Sequence, residues 1–154
     1  MNKFKTTTVF TTTLLMGLVL SRFAISKLTG WEISVKAFIE MAKPLGIDPT
    51  FFRISTGILI SAVFIGYLIT AFFTLFRNKI ELPFKLNYYN LAFFTNTLGL
   101  LTMVGALFSE FLLRVEPKWL LVYIATAVVI FSASNIMIIK NNSTLYNKLT
   151  TLKK

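Results

Sequence analysis

The stretch ISTGILISAVFIGYLITAFFTLF, residues 54–76, carries no charged side chain along its whole length. At about 1.5 Å of rise per residue, a helix of this size crosses a hydrocarbon core of roughly 30 Å. The run is too long and too evenly apolar for a core helix of a small soluble domain, so it reads as a membrane helix. Residues 86–109 and 119–139 are equally free of charge. A fourth stretch, residues 6–26, is weaker, because Arg22 interrupts it and Thr6, Thr7, Thr8, Thr11, Thr12 and Thr13 dilute it. Threonine hydroxyls can bond back to the carbonyl four residues earlier, which makes them tolerable inside a membrane helix. The expected fold is all-α: one domain over residues 1–154, a four-transmembrane-helix bundle with helices near 6–27, 54–76, 86–110 and 119–139.

Composition points the same way. Hydrophobic residues make up 55% of the chain, its mean hydropathy is +0.72, and charged residues are 14%, against about a quarter in a soluble domain. No linker, low-complexity tract or internal repeat divides the chain. Lys3 and Lys5 ahead of an apolar run also fit a secretory signal peptide, but the threonines make a poor signal core and no A-x-A site follows Leu20.

A net charge of +10 raises nucleic acid as a partner, yet binding a phosphate backbone needs basic residues gathered on one soluble face. Here they flank the apolar segments, so they report orientation instead. Lys3, Lys5, Arg77, Lys79, Lys85, Lys140, Lys148, Lys153 and Lys154 lie on one side with a single acid, Glu81. On the other side Lys27, Lys36, Lys43, Arg53, Arg114 and Lys118 are offset by Glu32, Glu40, Asp48 and Glu116. The basic excess places both termini in the cytoplasm. The expected location is the cytoplasmic (inner) membrane of a bacterium, with lysine far outnumbering arginine as in AT-rich genomes. The glycosylation-like triplets at Asn141 and Asn142 then face the cytoplasm and are chance.

Between the first two segments, Trp31, Val35, Phe38, Ile39 and Ala42 recur at helical spacing, with Lys36, Glu40 and Lys43 opposite, and Pro44 with Gly46 ends the run. This predicts a short amphipathic helix in the first extracytoplasmic loop, lying over the bundle as a lid or offering a docking surface to a membrane or periplasmic protein. Small residues predict close helix contacts at Gly57 with Ser61, Gly66 with Thr70, Thr102 with Ala106 and Gly105 with Ser109. Trp31 and Trp119 are expected as anchors at the outer boundary, Tyr88 and Tyr89 at the inner one.

The chain has no cysteine and no histidine. A thiol-disulfide relay needs an attacking thiolate, zinc needs histidine or cysteine, and intramembrane haem normally needs histidine. No metal site is expected, and a redox role would require a bound quinone, another organic cofactor or a partner subunit. The remaining candidates are polar groups at membrane depth, where ionisable side chains are costly. Arg22 and Glu110 both approach the outer face and are placed to pair, and Lys27 and Arg114 complete a cluster suited to an ion pair, an anionic head group or a quinone carbonyl. Tyr67, Asn96 and Asn135 lie deeper, as glue between helices or as the lining of a cavity.

The run Arg22-x4-Lys27-Leu28-Thr29-Gly30, the loop ending in Pro44-x-Gly46, and the stretch from Leu101 through Met103-Val104-Gly105-Ala106 to Glu110 resemble the DoxX family of small four-helix membrane proteins. The resemblance follows segment order and loop lengths over nearly the whole chain. It implies an integral protein of the cytoplasmic membrane; with no redox ligand in the chain and a charged cluster at one membrane face, the expected role is an accessory or membrane-anchoring subunit that binds quinone or lipid near Arg22, Lys27 and Glu110. An alternative is a subunit of a quinone-linked oxidoreductase of the thiosulfate:quinone type; a small transporter is a weaker fit, since no segment is broken at mid-membrane by paired Gly or Pro. The family often carries a glutamate after the second-helix glycine, where this chain reads Gly57-Ile58-Leu59-Ile60, so activity that needs that carboxylate is not expected here.

The absence of native cysteine makes the orientation testable. Single cysteines at Lys3→Cys and Lys153→Cys should resist a membrane-impermeant maleimide on intact cells, while Asp48→Cys should be labelled; modification at either terminus would reverse the assignment.

Overall fold

Helix α1 (Lys3–Leu28) is followed by the short α2 (Glu32–Ala42), and then by α3 (Pro49–Phe76), α4 (Tyr88–Leu112) and α5 (Trp119–Thr151). The computed structural model describes residues 2–76 and 88–151, with side chains to residue 142. No strand occurs among the described residues. Arg77, Lys79, Glu81, Lys85, residues 86 and 87 of the third apolar stretch, Lys153 and Lys154 lie outside them, as do the side chains of Ser143, Thr144 and Lys148.

Four helices, α1, α3, α4 and α5, are long and apolar enough to cross a membrane, which is the mark of a multi-pass membrane protein. Only 28% to 33% of each span is buried by the rest of the chain, and the outward surface is made of side chains such as Phe72, Phe94, Leu101, Phe108, Ile130 and Met137. Water would not support so continuous an apolar exterior.

The helices run further than their uncharged cores. Helix α3 begins at Pro49, ahead of residue 54, because Asp48 caps it: the Asp48 carboxylate accepts from the Phe51 N–H at 2.6 Å and proline suits the first helical position. Arg53 does not stop the helix, since its guanidinium donates to the Lys27 carbonyl, one of the acceptors that the end of α1 leaves without an intrahelical partner. In α1, the hydroxyls of Thr6, Thr7, Thr8, Thr12 and Thr13 each lie within 3.2 Å of the carbonyl four residues earlier, so this polar stretch satisfies itself.

Helix α1 packs along α3, and α4 along α5; α2 leans on α3. The two pairs meet around Met16, Leu20, Val63, Tyr67, Met103 and Val128. Glycine sets the approach at four places. A Cβ at Gly17 would press on Leu68 at 3.0 Å, at Gly57 on Leu28 at 2.9 Å, and at Gly66 on Thr95 at 3.0 Å. At Gly99 it would fall inside the Tyr67 hydroxyl. The expected contacts of Gly57 and Gly66 are present, whereas Gly105 faces open space and does not pack. Tyr88 and Tyr89 are buried against Ala92, Ile139 and Phe73 instead of standing out as anchors. Trp31 and Trp119 are exposed, at the end of the bundle where α2 lies.

Helix α2 forms where periodicity places it, but turned. Its buried side chains are Ser34, Ala37, Phe38, Met41 and Ala42, while Trp31 and Ile39 are exposed. Phe38 sets the rotation by meeting Phe52 of α3 edge to face at 5.0 Å. Gly46, at φ 65°, ends the following turn in the left-handed region, which favours glycine.

Gly99→Ala should lower thermal stability in detergent by about 1–3 kcal/mol, the scale of overpacking. In a Tyr67→Ala background, where both the hydroxyl and the ring carbon 2.6 Å from that Cβ are gone, the same substitution should cost clearly less; equal costs would disprove the contact.

Candidate functional site

Two polar constellations lie within the bundle. In the first, Tyr67 of α3 meets Ser132 of α5 at 2.7 Å. Ser132 itself points its hydroxyl at Met16 Sδ, 3.7 Å away, so the tyrosine is the donor. Beside them the Asn135 amide donates to Asn96 Oδ1 at 3.1 Å, Asn96 donates to the Ala92 carbonyl at 2.8 Å, and Thr12 Oγ1 lies 3.0 Å from Asn135 Oδ1. Tyr67, Asn96 and Asn135 are thus brought to neighbouring positions and spent on one another and on α1. They tie helices together, at about 0.6–2 kcal/mol per bond inside a membrane. Further along, Thr74 donates to the Thr70 carbonyl at 2.7 Å and so accepts from Tyr88, 2.8 Å away.

The second constellation caps a cavity. In the half of the bundle nearer α2, the space between the α1/α3 and α4/α5 pairs holds about 400 Å³, within the range of about 300–1,000 Å³ usual for ligand pockets. Its deep wall is apolar, with Leu20, Ile60, Met103 and Ala125; Phe23, Phe38 and Phe52 surround the upper part, and α2 roofs it. Leu59 of α3 and Leu101 and Gly105 of α4 line it and are also exposed on the outer surface, which gives the cavity a lateral window between α3 and α4.

Its charged end is built by Lys27, Glu110, Arg114 and Lys118. Glu110 pairs with Arg114, one helical turn on, at 2.7 Å, and the same carboxylate oxygen accepts from the Lys118 N–H at 2.7 Å. These side chains are 7% and 4% exposed. Arg114 also faces Glu40 of α2 at 3.5 Å, and Glu40 accepts from the Val115 N–H at 3.1 Å. This clasp holds the roof to the α4–α5 connection. Glu110 is therefore paired with Arg114 and not with Arg22. Arg22 is exposed, 6.0 Å over the ring of Trp31, and does not line the cavity. Lys27 does, its ammonium 5.7 Å from the ring of Phe23 and 5.5 Å from that of Phe38.

Of the residues singled out from sequence, Lys27, Glu110 and Arg114 share this site, Tyr67, Asn96 and Asn135 share the interhelical network, and Arg22 stands apart. Sequence reasoning missed Ser34, Glu40 and the phenylalanine collar. Ser34 carries a readable signal, a hydroxyl at i−4 to Phe38 on the same helix face. The open face at Gly105 has none, because a small-residue pair reads the same whether it packs or lines a void. The chain matches no known family model, no curated protein and no solved structure.

Breaking a buried ion pair leaves one charge uncompensated, at a cost of about 3 kcal/mol or more. Glu110→Leu and Arg114→Leu should each lower the unfolding midpoint in detergent, and the double variant should lose less than the sum of the two; strict additivity would show that the pair does not couple.

Proposed function

We propose that this chain is a DoxX-type integral membrane protein of the bacterial inner membrane, with both termini in the cytoplasm, and that it works as an accessory or anchoring subunit. Its bundle binds an amphiphile, a quinone or a lipid, in the cavity under α2. The observation that carries this reading is the cavity itself: an apolar chamber with polar groups gathered at one end and a lateral window between two long apolar helices. That shape suits a molecule with one polar end that arrives from the hydrocarbon phase.

An accessory role is the better fit to the chemistry available. Without a thiolate or an imidazole the chain holds no self-contained thiol relay, zinc or haem centre, and Glu110 and Arg114 at the cavity mouth are committed to holding α2 in place. The polar network of Tyr67, Ser132, Asn96 and Asn135 makes helix contacts that suit a scaffold. The outer surface of α2 and its flanks, with Trp31, Ile33, Ile39 and Phe51 exposed, suits a membrane or periplasmic partner.

Protein purified in a mild non-ionic detergent should retain an extractable amphiphile in near-stoichiometric amount, identifiable by mass spectrometry. Gly105→Leu, which adds bulk where a side chain meets open space on the cavity wall, should reduce the retained amount several-fold without lowering thermal stability. A bundle that carries no amphiphile, or equal retention in the variant, would reject the site.

A further inference from the structure

The charges around the cavity are unevenly committed. Its lining holds three basic residues, Lys27, Arg114 and Lys118, and one acidic residue, Glu110. The one carboxylate is already occupied by the Arg114 guanidinium and the Lys118 N–H. Arg114 also lies 3.5 Å from Glu40 through its Nε, an ion pair without a hydrogen bond, since that Nε has no hydrogen-bond partner. Lys27 forms no ion pair within 4.0 Å and no side-chain hydrogen bond among the described residues: the Phe23 and Phe38 rings flank its ammonium, and the Glu110 carboxylate acts on it only at longer range. An ammonium held among apolar walls with that little compensation is costly unless something anionic faces it.

A second group points the same way. Ser34, on the face of α2 turned into the cavity, is 6% exposed and lines the wall, yet its hydroxyl has no hydrogen-bond partner. Buried hydroxyls are nearly always satisfied, so an unpartnered one lining the same cavity as a cation with no direct ion pair marks a place for acceptor atoms. Below these two groups the walls are mostly apolar down to Leu20 and Ile60, with Thr56 and Thr102 among the lining residues. The donors thus stand at one end of the chamber.

Resting on the amphiphile reading above, we infer that the cavity takes a single-chain amphiphile with an anionic head, its carboxylate or phosphate bound by Lys27 and Ser34 and its tail leaving by the window beside Gly105. A quinone is the poorer fit. Its two carbonyls sit on opposite sides of a neutral ring and gain less from a cation than a charged oxygen does. The volume, about 400 Å³, favours one chain over two.

The test measures equilibrium binding of four labelled probes to delipidated full-length protein in a non-ionic detergent: oleate, oleoyl lysophosphatidate, the uncharged monoolein and a short-chain menaquinone. Oleate or lysophosphatidate should bind at least about tenfold tighter than monoolein and menaquinone, the scale of one charge-assisted contact, and whichever is tighter names the head group as carboxylate or phosphate. Lys27→Gln should remove that advantage while leaving monoolein unchanged, and Lys27→Arg should keep it. The comparison among probes needs no variant, so it stands even if a substitution fails to fold. If monoolein or menaquinone binds the native protein as tightly as oleate, or if Lys27→Gln leaves oleate unaffected while Gly105→Leu weakens it, the anionic assignment is wrong and the amphiphile site survives. If no probe binds, or Gly105→Leu alters none of them, the site itself falls.

Discussion

Hydrocarbon offers no hydrogen bonds, and every polar group that enters it must find its partner within the chain. Most features of this bundle follow from that requirement. Helices satisfy their own backbone, and the threonines of α1 return their hydroxyls to the carbonyl one turn back. Asn96 and Asn135 use each other, Tyr67 uses Ser132, and Glu110 uses Arg114. Against this background the hydroxyls of Ser34, Thr70 and Thr97 and the Arg114 Nε stand out as buried groups without a hydrogen-bond partner, and of these Ser34 and Arg114 line the cavity together with Lys27.

Close approach at glycine decides where the bundle is tight and where it is open. Tyr67 lies against Gly99 and reaches across to α5, joining the two helix pairs near their middle. Gly66 draws α3 onto Thr95 of α4 on the far side from α2, and Tyr88 and Tyr89 fill that end. Toward α2 no such glycine contact brings α3 and α4 together among the described residues: Gly105 faces open space, and Leu59 and Leu101 border a gap. The cavity is the volume left where the pairs stop being drawn together, and its roof comes from a helix tied down by Glu40 and Arg114.

Periodicity and length made the four long helices and the short α2 legible, because both signals are local. What escaped was tertiary. Gly17 and Gly99 pack as closely as Gly57 and Gly66; they too have small residues four positions away, Thr13 and Ser21 for Gly17 and Thr95 for Gly99, but the spacing alone does not say which such pairs meet a neighbouring helix. The buried face of α2 is rotated because Phe38 answers to Phe52, a residue in another helix. Tyr88 and Tyr89 look like boundary anchors by position, yet Thr74 and Ile139 supply a buried setting that sequence does not show. Arg22 and Glu110 share a membrane face, which by itself makes them look like partners. Arg114, one turn from Glu110 on the same helix, is the nearer partner and needs no neighbouring helix to move.

That last substitution of partners governs the chemistry of the site. Had Arg22 been Glu110's counter-ion, Arg114 would have been left to the cavity and the charge there would be a mobile guanidinium near the surface. With Arg114 drawn between Glu110 and Glu40, both acids on this side of the roof are consumed in structure. Lys27 then stays on the opposite wall, anchored by a backbone whose carbonyl is held by Arg53, with its ammonium between two phenylalanine rings. Those rings offer a cation about 0.5–2 kcal/mol, less than a buried ammonium loses in leaving water. Whatever the rings and the more distant Glu110 do not offset is available to an anionic ligand. It remains because Glu110 and Glu40 are turned to Arg114 and the backbone beside it.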